Sequence, residues 1–233
     1  YWCPHCETAL AEAEIEYADQ KTPTIFVKMP LVKDNGLTPE AAKGKKAYMV
    51  IWTTTPWTIP ANVAVALNPD FEYAWVEYNG EVLIMAADLV DKVAQECGVE
   101  FGPVLGTTKG RDFEYAECEH PFPEYNHRKS LVVLADYVDK ESGSGCVHTA
   151  PGHGDVDYLT GLKYNLPILC PVDTKGCFTK EAGELFEGKF VFDSNGLVIK
   201  HLAEQGALLG KKSIHHQYAH CWRCKNPIIF RAS

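Results

Sequence analysis

FEYAWVEYNGEVLIMAA, residues 71–87, is the stretch from which the fold is read. Two runs rich in β-branched and aromatic residues, 71–78 and 81–87, flank Asn79-Gly80. Asn-Gly supplies the two positive φ angles of a tight type I′ turn, so Tyr78-Asn79-Gly80-Glu81 is a hairpin signal. Outward from this hairpin, TIFVKMPLV (24–32), KAYMVIWTT (46–54), SLVVLADYV (130–138) and LPILCPV (166–172) also read as strands. Helices are expected over 87–96, closed by Gly98, over 155–164 and over 196–209. Strands and helices do not alternate regularly, which argues against a doubly wound parallel sheet. The expectation is a β-rich α+β domain: a β-barrel core with peripheral helices.

The chain has 233 residues, of which 46% are hydrophobic and 23% charged, so one well-cored globular unit is expected. Its apolar runs are shorter than the roughly 18 residues of a membrane span, and no signal peptide is visible, so no membrane partner is expected. Lacking an initiator Met, the sequence reads as an excised part of something longer. Net charge is −9, which argues against wholesale binding to a nucleic-acid backbone. The charge is uneven, however. Residues 1–20 hold five acids and no Lys or Arg, while residues 205–233 hold five bases and no acid, leaving room for a modest RNA-facing surface near the C-terminus.

There are nine cysteines, an odd number, in a chain well above the size that needs disulfide staples. Four form the pairs Cys3-Pro-His-Cys6 and Cys221-Trp-Arg-Cys224. Two such hooks suit a tetrahedral thiolate site for a structural Zn²⁺, with no open position for a catalytic water. A redox pair or four unrelated thiols are the competing readings. A shared ion would form a zinc-ribbon-like hairpin that joins the N- and C-termini, the geometry of an inserted domain. Residues 1–20 and 205–233 would then be terminal zinc-binding and linker elements around a barrel at 21–204. His5 and His220 are expected outside the ligand set, and the five remaining cysteines suit core packing in a reducing compartment.

Two motifs carry chemistry. In Trp52-Thr53-Thr54-Thr55-Pro56-Trp57-Thr58-Ile59-Pro60-Ala61-Asn62 a strand must leave its sheet at Pro56, presenting hydroxyls and freed amides at its end. β-branched Thr also simply favours strands. In Gly145-Cys146-Val147-His148-Thr149-Ala150-Pro151-Gly152-His153-Gly154-Asp155-Val156-Asp157-Tyr158 a Gly/Pro loop enters a helix that Asp155 can cap. Asp157 either complements the helix dipole or anchors a cationic group such as a substrate ammonium. A metallohydrolase site from His148, His153, Asp155 and Asp157 and a Cys146–His148 thiol dyad are weaker alternatives.

These motifs, framed by WCPHCETALAEAEIEY and HCWRCKNPIIFRA, resemble the inserted editing domain of isoleucyl-tRNA synthetases of bacterial type along essentially the whole chain. The valyl and leucyl relatives carry Thr-Thr-Arg-Pro where this chain has Thr54-Thr55-Pro56-Trp57. Val156 departs from the acid that many members place before the final Asp.

The resemblance implies a cytoplasmic hydrolase that removes valine from the 3′ end of isoleucine tRNA, with valyl-adenylate as a second candidate substrate, while rejecting isoleucine. It implies that Asp157 holds the α-ammonium and that Thr53, Thr54 and Thr55 contact the terminal adenosine and the ester, with Thr54 and Thr55 joining Asp157 in catalysis. Asn62 would orient that region, and Trp52 and His148 would line the side-chain pocket, with His153 alongside. The rest of the parent synthetase would be its covalent partner. A non-catalytic, zinc-stabilised RNA-binding insertion is the alternative from another class.

Overall fold

The computed structural model describes all 233 residues. Twelve strands run in the order β1 (Trp2–Cys3), β2 (Thr8–Ala9), β3 (Ile15–Lys33), β4 (Ala47–Thr53), β5 (Ala64–Leu67), β6 (Glu72–Tyr78), β7 (Glu81–Ala86), β8 (Val104–Lys109), β9 (Glu117–Glu119), β10 (Lys129–Leu134), β11 (Cys146–Thr149) and β12 (Leu208–Cys221). Three helices accompany them: α1 (Val90–Cys97), α2 (Asp155–Lys163) and α3 (Asn195–Glu204). The protein is thus a β-rich α+β domain with few helices, and its ten-stranded sheet mixes parallel and antiparallel pairs.

The hairpin forms as its sequence requires. Asn79 and Gly80 have φ of 50° and 79°, and β6 pairs β7 antiparallel from Tyr78↔Glu81 to Tyr73↔Ala86. β4 lies parallel to β7 and antiparallel to β3, with Phe26↔Trp52 in register. The pairing then returns on itself. β3 meets β9, β9 meets β10, β10 runs parallel to β5, β5 is antiparallel to β11, and β11 touches β4 through the single pair Val147↔Trp52. Each of these six strands has two neighbours within the set, so their pairing closes into a ring.

Apolar residues from several of these strands make the main core, among them Phe26, Met29, Ile51, Tyr73 and Trp75, each 1% exposed or less. Each large side chain of this kind contributes roughly 1.5–3 kcal/mol by leaving water. α1 ends where expected: Gly98 adopts φ 66°, and the amides of Gly98 and Val99 return to the carbonyls of Gln95 and Ala94.

Four expectations need correction. Residues 166–172 are not a strand; only Val172 forms an isolated bridge, to Phe178, because Pro167 and Pro171 have no N–H to give a ladder. The helix expected over 196–209 stops at Glu204, and Gly206 at φ 70° turns the chain into β12. The strand expected to reach 138 stops at Leu134. Asp155 is not the cap of α2: Gly154 holds that position, and Asp155 accepts only from the adjacent Val156 amide at 2.7 Å.

β12 pairs β3 from Leu208↔Val27 to Cys221↔Ile15, a two-stranded ribbon that carries both ends of the chain to one place. Glu16 and Lys225 meet there at 2.6 Å. Both are exposed, so this pair adds little stability. No helix is long and apolar enough to cross a membrane.

Candidate functional site

Where β4 ends, the ring opens onto a cavity of about 340 Å³. Its lining includes Trp52, Thr53, Thr54, Thr55, His148, His153 and Asp157, which brings seven of the eight non-metal residues singled out in the sequence to one place. The eighth, Asn62, is fully buried behind the wall and bonds to His148 instead of facing the space.

The threonines arrive there because Pro56 ends the strand and opens a short helical turn over Pro56–Ala61. Thr53 is 6% exposed, and its Oγ1 accepts the Thr55 amide at 3.0 Å, folding the loop back on itself. No hydrogen bond within the protein engages the Thr54 hydroxyl, which leaves it available to a ligand. The Thr58 Oγ1 donates to the Thr55 carbonyl at 2.9 Å and so fixes the next turn.

Asp157 lies in the first turn of α2, half-buried, with Oδ2 accepting the Ala150 amide at 2.9 Å. Burial pushes its pKa up to about 6; the Ala150 bond acts in the opposite direction and Asp155 adds a small upward push. A carboxylate held away from water with one oxygen lacking a protein partner favours a proton or a cationic group. The helix-dipole role also applies, because Asp157 occupies the N-terminal turn.

His148 is buried and His153 half-buried, and both are neutral. Desolvation lowers His148 to about 3 and His153 to about 4. His153 Nδ1 donates to the Phe230 carbonyl at 2.9 Å, and its ring meets Trp57 edge-on. Trp52 flanks the cavity with its indole Nε1 buried and unpartnered.

Sequence reasoning missed the opposite wall, formed by Tyr137, Asp139 and the loop 142–145. Its only signal was the Ser-Gly-Ser-Gly run. Gly145 is required there twice: its φ is +77°, and a Cβ would stand 2.5 Å from Ala86 Cβ.

Neither competing catalytic arrangement assembles. His148, His153, Asp155 and Asp157 do not converge as metal ligands; the Cys3–Cys6–Cys221–Cys224 group is the one such cluster. Cys146 is buried, its Sγ faces the Ile84 carbonyl at 3.8 Å, and burial pushes its thiol up, so no thiolate dyad forms with His148.

The four cluster sulfurs lie within 4.8 Å of one another, and Cys3 Sγ is 3.5 Å from Cys224 Sγ. Four thiolates about a Zn²⁺ at 2.3 Å would stand about 3.8 Å apart, so the group could bind a metal such as zinc after a small contraction. All nine cysteines are free thiols. His5 packs on Phe190 and His220 Nδ1 bonds to the Tyr218 carbonyl, so both stand outside the cluster.

No established family model matches the chain. Its fold is similar to that of solved leucyl-tRNA synthetase editing domains. The Plasmodium knowlesi cytosolic leucyl-tRNA synthetase editing domain superposes with TM-score 0.60 at 11% identity, covering 83% of this chain and 97% of that one. The corresponding Plasmodium falciparum domain gives TM-score 0.58 at 11% identity, covering 82% and 98%. By sequence, the chain corresponds to a segment of isoleucine–tRNA ligase. It is 51% identical to that protein of Caldicellulosiruptor saccharolyticus over 100% of its own length and 25% of the relative's. The chain therefore spans about a quarter of the length of the curated relatives it matches.

Proposed function

We propose that this domain hydrolyses the ester between valine and the 3′ end of isoleucine tRNA, and valyl-adenylate as a second substrate, while sparing isoleucine. The observation that carries this reading is Asp157: a half-buried carboxylate beside three threonines in a cavity that holds no activated Ser or Cys. In this reading Asp157 grips the α-ammonium, and Thr54 and Thr55 hold the ester and an incoming water. Thr53 shapes the loop against the terminal adenosine. Trp52, His148 and His153 enclose the amino-acid side chain, and Asn62 sets His148 from behind.

The chemistry needs little more. An aminoacyl ester is already activated, and holding it beside a water removes most of the entropic barrier. A synthetic site separates isoleucine from valine by only about 1–3 kcal/mol per methylene, so a second, hydrolytic sieve is useful. That sieve must exclude the larger side chain, which a close-packed wall does well.

The six-strand ring is read as a small barrel over residues 21–204 with this cavity at its mouth. Residues 1–20 and 205–233 form the terminal elements, and Cys3, Cys6, Cys221 and Cys224 would hold one structural Zn²⁺. The remainder of a longer synthetase chain in the cytoplasm, a reducing compartment suited to nine free thiols, would deliver the tRNA end.

The test is a structure with a non-hydrolysable valyl-adenosine analogue, paired with deacylation assays. The amine is expected on Asp157. An amine bound elsewhere would end the mechanistic reading. An intact fold that binds RNA but never releases valine would instead favour a non-catalytic binding insertion.

A further inference from the structure

From the cavity wall inward, four side chains, each 8% exposed or less, form one continuous hydrogen-bond chain. Ser130 Oγ donates to Asn62 Oδ1 at 2.6 Å. Asn62 Nδ2 lies 3.0 Å from the Ala64 carbonyl and 2.8 Å from His148 Nδ1. His148 Nε2 is 2.9 Å from Thr58 Oγ1, which is in turn 2.9 Å from the Thr55 carbonyl.

The protons of this chain can be placed by elimination. The Ala64 carbonyl can only accept, so the nitrogen end of the Asn62 amide must face it. Its second N–H then points at His148 Nδ1, which must offer a lone pair. The imidazole proton therefore sits on Nε2 and is donated to Thr58 Oγ1. The single proton of Thr58 is left for the Thr55 carbonyl. Every donor in the chain has an acceptor, and the Ala64 carbonyl fixes the direction.

We propose that Ser130, Asn62 and Thr58 are positioning residues that lock His148 in its Nε2–H tautomer, making it a shape-selective wall for the aliphatic side chain and not a proton acceptor. With both ring nitrogens engaged inside the protein, only C–H edges of the imidazole remain for the cavity. An extra methylene meets that wall without any hydrogen bond to offset the clash. Burial, which keeps the imidazolium from forming above about pH 3, agrees with this role. The same chain ends on the Thr55 carbonyl, so it ties the hydroxyl-bearing loop to the wall opposite the ester. The proposal deepens the editing reading and depends on it for its functional part.

The tautomer is tested without substrate. Two-bond ¹H–¹⁵N correlation spectra of the ¹⁵N-histidine-labelled chain should show His148 with a protonated Nε2 and a bare Nδ1, unchanged from pH 8 to pH 5. A protonated Nδ1 in the wild-type protein would overturn the proposal. Asn62→Asp places an acceptor against Nδ1 and should move the proton there; an unmoved proton would show that residue 62 does not set the tautomer. Should that variant fail to fold, the wild-type spectrum and Ser130→Ala decide.

Ser130→Ala leaves Asn62 Oδ1 without its donor. It should lower the preference for valine over isoleucine esters about tenfold, the equivalent of ~1.4 kcal/mol, mostly by faster isoleucine release. An unchanged preference would remove Ser130 from the proposal. Failure of the wild-type chain to cleave either ester would count against the editing reading alone, because the spectrum reports on the lock independently.

Discussion

The Ala150 amide donates to Asp157 Oδ2 at 2.9 Å, tying the first turn of α2 to the residue that follows β11. One carboxylate oxygen is thereby committed to the scaffold, and the other is the one a ligand can reach. In the proposed reading orientation and ligand capture reside in the same side chain, so replacements of Asp157 separate into effects on binding and effects on stability.

Asp157→Asn keeps the shape and one acceptor but removes the charge. Release of valine from its tRNA ester should fall about 100-fold, the scale of losing reactant positioning. Single-turnover deacylation measures this, and a decrease smaller than about threefold would show that the ammonium is held by another group.

The same substitution should make the folded protein more stable at high pH. Asp157 has a folded pKa of about 6, above the ordinary carboxylate value near 3.9, so its contribution favours folding at low pH and is lost as pH rises through about 6. Urea unfolding should therefore show Asp157→Asn more stable than wild type by roughly 1–2 kcal/mol at pH 8, after allowing for partial solvent contact, with the gap closing near pH 4.

Activity should run the other way with pH. Capture of an ammonium needs the ionised carboxylate, so deacylation should rise as pH increases through about 6. A pH–rate profile that is flat from 5 to 8 would remove Asp157 from the rate-determining chemistry.

His148→Ala opens the side-chain wall. Isoleucine esters, spared in the proposed reading, should then be cleaved at a rate approaching that for valine, within roughly the 1–3 kcal/mol that one methylene can contribute. Competition assays with both charged tRNAs check this. Persistent rejection of isoleucine would place the wall at Trp52 or the 142–145 loop.

Cys224→Ser, or treatment with a strong chelator, should release one equivalent of zinc and lower the melting temperature by about 5–10 °C. Elemental analysis and thermal unfolding give both values. A melting temperature indifferent to chelation would make the four thiols a packing feature.

The contrast between two long segments shows what was readable in the chain. Around Asn79-Gly80, local turn chemistry and the flanking β-branched and aromatic runs agree, and the hairpin follows. In β12, LLGKKSIHHQYAHC offers few large apolar residues and no turn signal; Ile214, His216 and Tyr218 alternate half-buried with exposed neighbours only because the segment pairs with β3. PILCPV has the opposite character, apolar enough for a strand but deprived of amides by its prolines. The site divides in the same way. Asp157, the threonines and the cysteine hooks announce themselves by residue type and spacing. Ser130 and Tyr137 do not, because their importance comes from what distant parts of the chain place beside them.

The ring of strands is stitched unevenly. Between β11 and β4 it is held by one residue pair, Val147↔Trp52, whereas β3 and β4 share six. Amide hydrogens along that thin seam should exchange with solvent sooner than those of its neighbours, since local opening there breaks the fewest bonds. Trp52 is half of that stitch and His148 follows its partner Val147, so breathing at this one point would widen or narrow the cavity while the remainder of the domain stays shut.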